Sequence, residues 1–253
     1  MSWTKVTEPQ VNQITQYKNH FYGVGDDHGV WENVTDSFHW RRIASGDVTF
    51  ITIKDDVVYG LGTNQAIWKR PLAEGTWEQL NTWALRKFLI DGQDIYGTGL
   101  DNAIWKSNIK GSGWCKIAAG PITDFSLFDG YFYGVRFDGC IWKHSKEGSG
   151  DWEKVTEGRT IKLVVQRGTI YGMGVNGEVW RHSTDQDDSW TKITEGGIID
   201  FLIQGNQVYG LGTDKAIWKW QTASHSNTKM STGMDSHVRT MMQLRKYTRR
   251  KLN

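Results

Sequence analysis

Tyr209-Gly210-Leu211-Gly212-Thr213-Asp214-Lys215-Ala216-Ile217-Trp218 is the stretch whose reading decides the fold, because its pattern returns six times along the chain. A Tyr-Gly pair stands at Tyr22, Tyr59, Tyr96, Tyr133, Tyr171 and Tyr209, spaced by 37, 37, 37, 38 and 38 residues. Nine residues after each Tyr comes a Trp: Trp31, Trp68, Trp105, Trp142, Trp180 and Trp218. A second series, Trp3, Trp40, Trp77, Trp114, Trp152 and Trp190, precedes each Tyr by 19. Three series keeping step through six copies define a tandem repeat, and a repeat of this length means a solenoid, a propeller or an array.

The changes in length fall in one place. From the later Trp of one copy to the first Trp of the next is 9 residues three times and then 10 twice. The extra residue enters at 146–151 and 183–189, stretches rich in Gly, Ser and Asp that read as surface loops. Each copy holds four short strand-like runs; in the second these are 48–53, 57–61, 66–69 and 77–80, separated by turn residues. Four antiparallel strands in 37 residues cannot bury both faces alone, whereas sheets stacked radially cover one another. The body begins on the fourth strand type, Trp3-Thr4-Lys5-Val6, and finishes on the third, Ile217-Trp218-Lys219. Pairing these ends would close a ring and remove an orphan edge. The expected fold is therefore all-β: a six-bladed β-propeller of four-stranded antiparallel blades over residues 1–220, closed by the N-terminal strand in the last blade. A basic tail, 221–253, follows as a disordered extension or short helix.

Composition agrees and narrows the function classes. The formal charge of +2 over 253 residues hides an asymmetry. Seven Lys and Arg and one Asp lie after Trp220, leaving 23 basic and 27 acidic residues in the body, so no nucleic-acid footprint is expected there. In the tail, Asp235 or Ser236 could cap a helix with Val238, Met241, Met242 and Leu244 on one side, suited to an acidic membrane surface or a partner. No apolar run reaches transmembrane length and none follows Met1, so the expected setting is cytoplasmic, or released without a classical signal peptide. Cys115 and Cys140 occupy unrelated repeat positions, which argues against a structural disulfide. The seven His share no position beyond the pair His144 and His182, expected at loop edges, and no metal or cofactor is expected.

The pattern Trp-x-x-Val/Ile followed by Tyr-Gly-x-Gly-x-Asp/Asn-x-x-Ile/Val-Trp resembles the tectonin repeat, over all six copies. The resemblance implies a multivalent carbohydrate-binding lectin without catalytic apparatus. It would recognise cell-surface glycans of microbes or nematodes, O-methylated or N-acetylated sugars among them, in a defence role. Two departures stand out: the fourth copy reads Tyr133-Gly134-Val135-Arg136, losing the second Gly, and the tail has no counterpart in the family. Homo-oligomerisation is left open, as is the rival class, a protein–protein scaffold.

Two residue series are candidate ligand contacts. Asp27, Asn64, Asp101, Asp138, Asn176 and Asp214 follow each motif Tyr by five. They could accept hydrogen bonds from sugar hydroxyls, or serve only to shape the hairpin turn through their own backbone. The later Trp series could offer platforms for sugar faces, or be inter-blade core. A cation follows most of these Trp (Lys69, Lys106, Lys143, Arg181, Lys219), with Glu32 the exception, and reads as a solvated strand end. Ser183–Trp190 resembles a sialidase Asp-box once, with Asp187 in place of Gly, and nothing else points to a glycosidase. WD-type propellers are excluded by the shorter period and the missing Trp-Asp endings.

Overall fold

The computed structural model describes residues 2–34, 37–111, 113–183 and 189–221. The tail from 222, the Asp-box-like stretch 184–188 and the tail helix expected from Asp235 lie outside these. Six four-stranded antiparallel sheets stand in a ring, at 11–44, 48–79, 85–118, 124–156, 160–192 and 198–221, the last completed by Ser2–Lys5. They are blades 1 to 6. Strand order is chain order in blades 1 to 5, blade 6 taking its outer strand from the start of the chain, and innermost strands of neighbouring blades pack on one another. Among the described residues there is no helix.

Blade 2 shows how the sequence builds each sheet. Its strands are Val48–Lys54, Val57–Gly62, Ile67–Pro71 and Glu78–Gln79. The first two are joined by Asp55-Asp56, both at positive φ, the two-residue turn whose twist matches a hairpin. The outer strand is shorter than the sequence reading, because Trp77 leaves the ladder to lie across the sheet. A Cβ at Gly60 would come within 2.6 Å of Val48 on the innermost strand and 3.1 Å of that indole. At Gly23 and Gly97 it would meet the innermost strand at 2.5 and 2.8 Å, so the Gly after the motif Tyr lets both neighbours close on the backbone. Trp152, Trp190 and Trp3 sit the same way over Gly134, Gly172 and Gly210. The Nε1 of Trp40, Trp77, Trp152, Trp190 and Trp3 donates to a carbonyl of the segment that leads into the same blade: Glu8, Ser45, Ala119, Glu157 and Glu195, at 2.7–3.1 Å. The Trp therefore pins its blade to the chain arriving from the previous one.

The core lies between blades. Val48, Ile51, Ile53 and Val58 of blade 2, for example, bury against Tyr22, Val24 and Val30 of blade 1. Two residues after each later Trp, on the same side of the strand, stand Asn33, Arg70, Ser107, His144, His182 and Trp220, all buried. His144 and His182 are thus not at loop edges as expected. They lie under Trp152 and Trp190, ring centroids 5.1 and 5.3 Å apart.

The ring closes as the strand phase implied. Ser2, Trp3, Thr4 and Lys5 pair with Gln221, Trp220, Lys219 and Trp218, one residue beyond the expected end of the body. Val6 N donates to Ile217 O at 2.8 Å, and Ile217 N to Thr7 Oγ1 at 2.9 Å. A second set of inter-blade ties runs along the innermost strands at the position occupied by Gln13, Phe50, Lys87, Asp124, Lys162 and Asp200. Gln13 reaches the backbone of Ile51, Phe50 packs edge-on to Phe88, and Lys87 binds Asp124 and the Phe125 carbonyl. Asp124 accepts from Leu163 N at 2.7 Å, and Lys162 binds Asp200. The first five of these side chains each bridge to the next blade, and the charged ones are paired as their desolvation demands.

Candidate functional site

The turn between the second and third strands of every blade reaches the same rim as the segment entering the blade. At its tip His28, Gln65, Asn102, Gly139, Gly177 and Lys215 all have positive φ, between 54° and 78°. The six Asx side chains of this turn are exposed and the six later Trp are half-buried. The structure brings the two series together. Oδ1 of Asp27, Asn64, Asp101 and Asp214 accepts from the backbone N–H two residues on, at 3.0–3.1 Å. The same oxygen accepts from the Nε1 of Trp31, Trp68, Trp105 and Trp218, at 3.0–3.3 Å. In these four blades Oδ1 shapes the turn and clamps the indole.

The second Gly of the motif is dictated by that clamp. A Cβ at Gly25, Gly62, Gly99 or Gly212 would lie 2.6–2.9 Å from the indole Nε1. Blade 4 carries Arg136 there, and the clamp is lost. Asp138 still holds its turn through Cys140 N at 2.9 Å. The Arg136 guanidinium instead stacks on Trp142 at 3.9 Å, and Trp142 Nε1 is buried without a partner. Blade 5 keeps Gly174, yet neither Asn176 nor Trp180 makes a side-chain hydrogen bond among the described residues.

Charge around the Asx turns is locally balanced. Asp27 Oδ2 meets Arg42 at 2.9 Å and Asp101 Oδ2 meets Lys116 at 2.6 Å. The bond from Trp31 holds the Asp27 carboxyl below the usual range, with Gly29 N and Arg42 contributing. For Asp101, partial burial pushes upward, but the bonds from Lys116, Trp105 and Ala103 outweigh it and the net direction is down. The cations after the later Trp belong to the other side of the strand. Lys106 sits by Tyr96 and bonds Asp94 at 2.8 Å; Lys219 lies 5.9 Å from the Tyr209 ring. Glu32 is buried at that position, bonded by Tyr22 at 2.9 Å, His20 at 2.8 Å and Arg41. Burial pushes its carboxyl up, but these donors outweigh that and bring it down, while burial and then Glu32 push the Tyr22 hydroxyl up.

Beside three of the later Trp the rim opens into clefts of about 300–410 Å³. In blade 2 the cleft lies between Trp68 and Trp77, with Asp47, Thr63 and Asn64 at its mouth. In blade 3 Trp105 is joined by Trp83, Leu100 and Asp101. The Trp83 indole leans on Trp105 at 4.9 Å, and Trp114, whose counterparts bind the entering chain, has a buried unpartnered Nε1. In blade 5, Trp180 and Trp190 form the walls, and Arg159, Asn176 and Glu178 are among the residues between them. Sequence reasoning picked out Trp68, Trp105 and Trp180 but not Trp83, Arg159 or Glu178. Aligning the copies would have found Glu178, which stands where the others have Gly29, Ala66, Ala103, Cys140 and Ala216.

No protein-family profile matches the sequence, and no curated protein does. Solved structures do match. YCF48 from Cyanidioschyzon merolae superposes with a TM-score of 0.62 at 13% identity, over 87% of this chain and 99% of that one. YCF48 bound to D1 peptide gives 0.59 at 15%, over 88% and 82%. The computationally designed Ika8 protein gives 0.56 at 12%, over 84% and 71%. The chain is a six-bladed β-propeller. At these identities the likeness is one of fold, and function has to be argued from the site.

Proposed function

We propose that the protein is a multivalent carbohydrate-binding propeller with no catalytic role, acting through the rim clefts. The observation that carries this reading is the recurrence, at one repeat position in blades 2, 3 and 5, of an open cleft walled by a half-buried Trp beside an exposed Asx turn. An indole face suits the apolar side of a pyranose, and rim amides and carboxylates suit its hydroxyls. Single clefts of this depth bind weakly, and attachment to a glycan-coated surface follows from engaging several at once. The test is a glycan array: saturable binding to a defined set of sugars is expected, and a blank array would overturn the reading.

One observation favours the rival class. Large apolar side chains are exposed along the same rim from blade 3 to blade 6: Trp83, Leu100, Phe137, Ile161, Val175 and Ile199. At the turn position of Leu100, Phe137 and Val175 the remaining blades have Asp26, Thr63 and Thr213. Exposed apolar patches of this kind mark protein contacts, and one structural neighbour is described with a bound peptide. A blank array, together with a protein that co-purifies with the wild type and is lost from the Phe137→Ser variant, would establish the scaffold reading instead.

A further inference from the structure

Blade 5 differs from every other blade at the rim, and the differences converge on one cleft. In blades 1, 2, 3 and 6 the Asx oxygen and the indole N–H satisfy each other. In blade 4 the indole is covered by Arg136. In blade 5 the two groups are not bonded to each other, and a cleft of about 350 Å³ opens between Trp180 and Trp190. Its Glu178 replaces a small residue; a Cβ added to Gly174 would meet the Glu178 carboxylate at 3.4 Å, so that carboxylate lies inside. Among the described residues Glu178 and Arg159 form neither an ion pair with each other nor one with any other group. Lys192 is near enough to feel the Glu178 charge, but its own ion pair is with Glu195.

The cleft thus offers an unpaired acceptor in Glu178, an unpaired donor in the Trp180 N–H, further donors in Arg159, and both kinds in the Asn176 amide. A purely cationic ligand would leave Arg159 unanswered, and a purely anionic one would face Glu178. A neutral ring edged with hydroxyls, each both donor and acceptor, answers all four groups while its apolar face rests on indole. Resting on the carbohydrate-binding reading, we infer that the blade 5 cleft is the tightest site of the protein and takes a neutral pyranose, with Glu178 accepting from its hydroxyls.

The variant that tests this is Glu178→Ala, which installs the residue of blades 2, 3 and 6 and should fold as they do. Calorimetry on the full chain would use the methyl glycosides of glucose, galactose, mannose and N-acetylglucosamine, with glucosamine and glucuronate as charged probes. The expected result is that Glu178→Ala weakens the tightest neutral sugar at least tenfold, that Glu178→Gln, which keeps an acceptor oxygen, weakens it less, and that neither charged probe binds more tightly. Unchanged binding in Glu178→Ala, with the wild type binding sugar, overturns this assignment and leaves the general reading standing. Tighter binding of glucosamine or glucuronate overturns the neutral ligand class. No binding by the wild type overturns both.

Discussion

Replacing Trp3 by Ala attacks the one blade whose outer strand comes from the far end of the chain. Trp3 lies over Gly210, packs edge-on to Trp220 with centroids 5.1 Å apart, and donates from Nε1 to Glu195 O at 3.1 Å. Full burial of a Trp side chain is worth about 3–5 kcal/mol on truncation to Ala. Trp3 is half-buried, but its hydrogen bond adds about 1 kcal/mol. The expected cost is about 2–4 kcal/mol, and for a domain of this size each kcal/mol lowers Tm by about 2–4 °C. Removing residues 1–7 should cost more, since it also strips four residue pairs and both hydrogen bonds of Val6 and Thr7 to Ile217, leaving the edge of blade 6 bare. Thermal melts of the wild type, the Trp3→Ala variant and the truncated chain decide it. A truncated chain melting at the wild-type temperature would mean that the closing strand contributes nothing and would refute the argument.

Three further outcomes are expected. Asp124→Ala leaves Lys87 with the Phe125 carbonyl but no counter-charge, and Leu163 N–H buried and without its Asp124 acceptor, so urea unfolding should show a loss of about 3 kcal/mol. Asp101→Asn keeps the Oδ1 acceptor but removes the charge that meets Lys116. Because the folded-state carboxyl is held low, its contribution is present above the unfolded-state value of about 4 and fades as pH falls through the lowered one. Melts of wild type and Asp101→Asn should therefore differ at neutral pH and converge in acid; a gap independent of pH would contradict the assignment. A chain ending at Gln221 contains all six blades and should fold and bind sugar as the full chain does, measured by circular dichroism and the glycan array.

The repeat was legible because packing fixes register: Tyr-Gly, both Trp series and the Asx turn each answer a contact that recurs from blade to blade. Closure was legible because the strand phase at Trp3 and Ile217 left one strand to spare and one missing. What stayed hidden is what differs between copies. The innermost-strand ties run through Gln13, Phe50, Lys87, Asp124, Lys162 and Asp200, six side chains of four kinds that share a position but no chemistry, so a motif search passes over them. His144 and His182 read as loop edges because their burial depends on Trp152 and Trp190, eight residues on and folded back over them. The Asx series posed a choice between ligand contact and turn. The geometry shows the turn role in five blades, and in four of them a bond to the later Trp that spacing alone did not suggest. Trp83 and Glu178 open or line clefts because they break the repeat, and a departure in one copy shows only when all six copies are aligned position by position.

The central claim, that sugar binds in the rim clefts, is tested most directly by the indole N–H resonances of the isotope-labelled protein, assigned by single Trp substitutions and followed while a sugar positive on the array is titrated. The account predicts shifts for Trp68, Trp105 and Trp180, largest for Trp180, whose N–H has no partner among the described residues. It predicts none for Trp40 and Trp152, which are held by the carbonyls of Glu8 and Ala119 on the way into their blades. Shifts confined to Trp outside the three clefts, or saturable binding that moves no indole resonance, would contradict it.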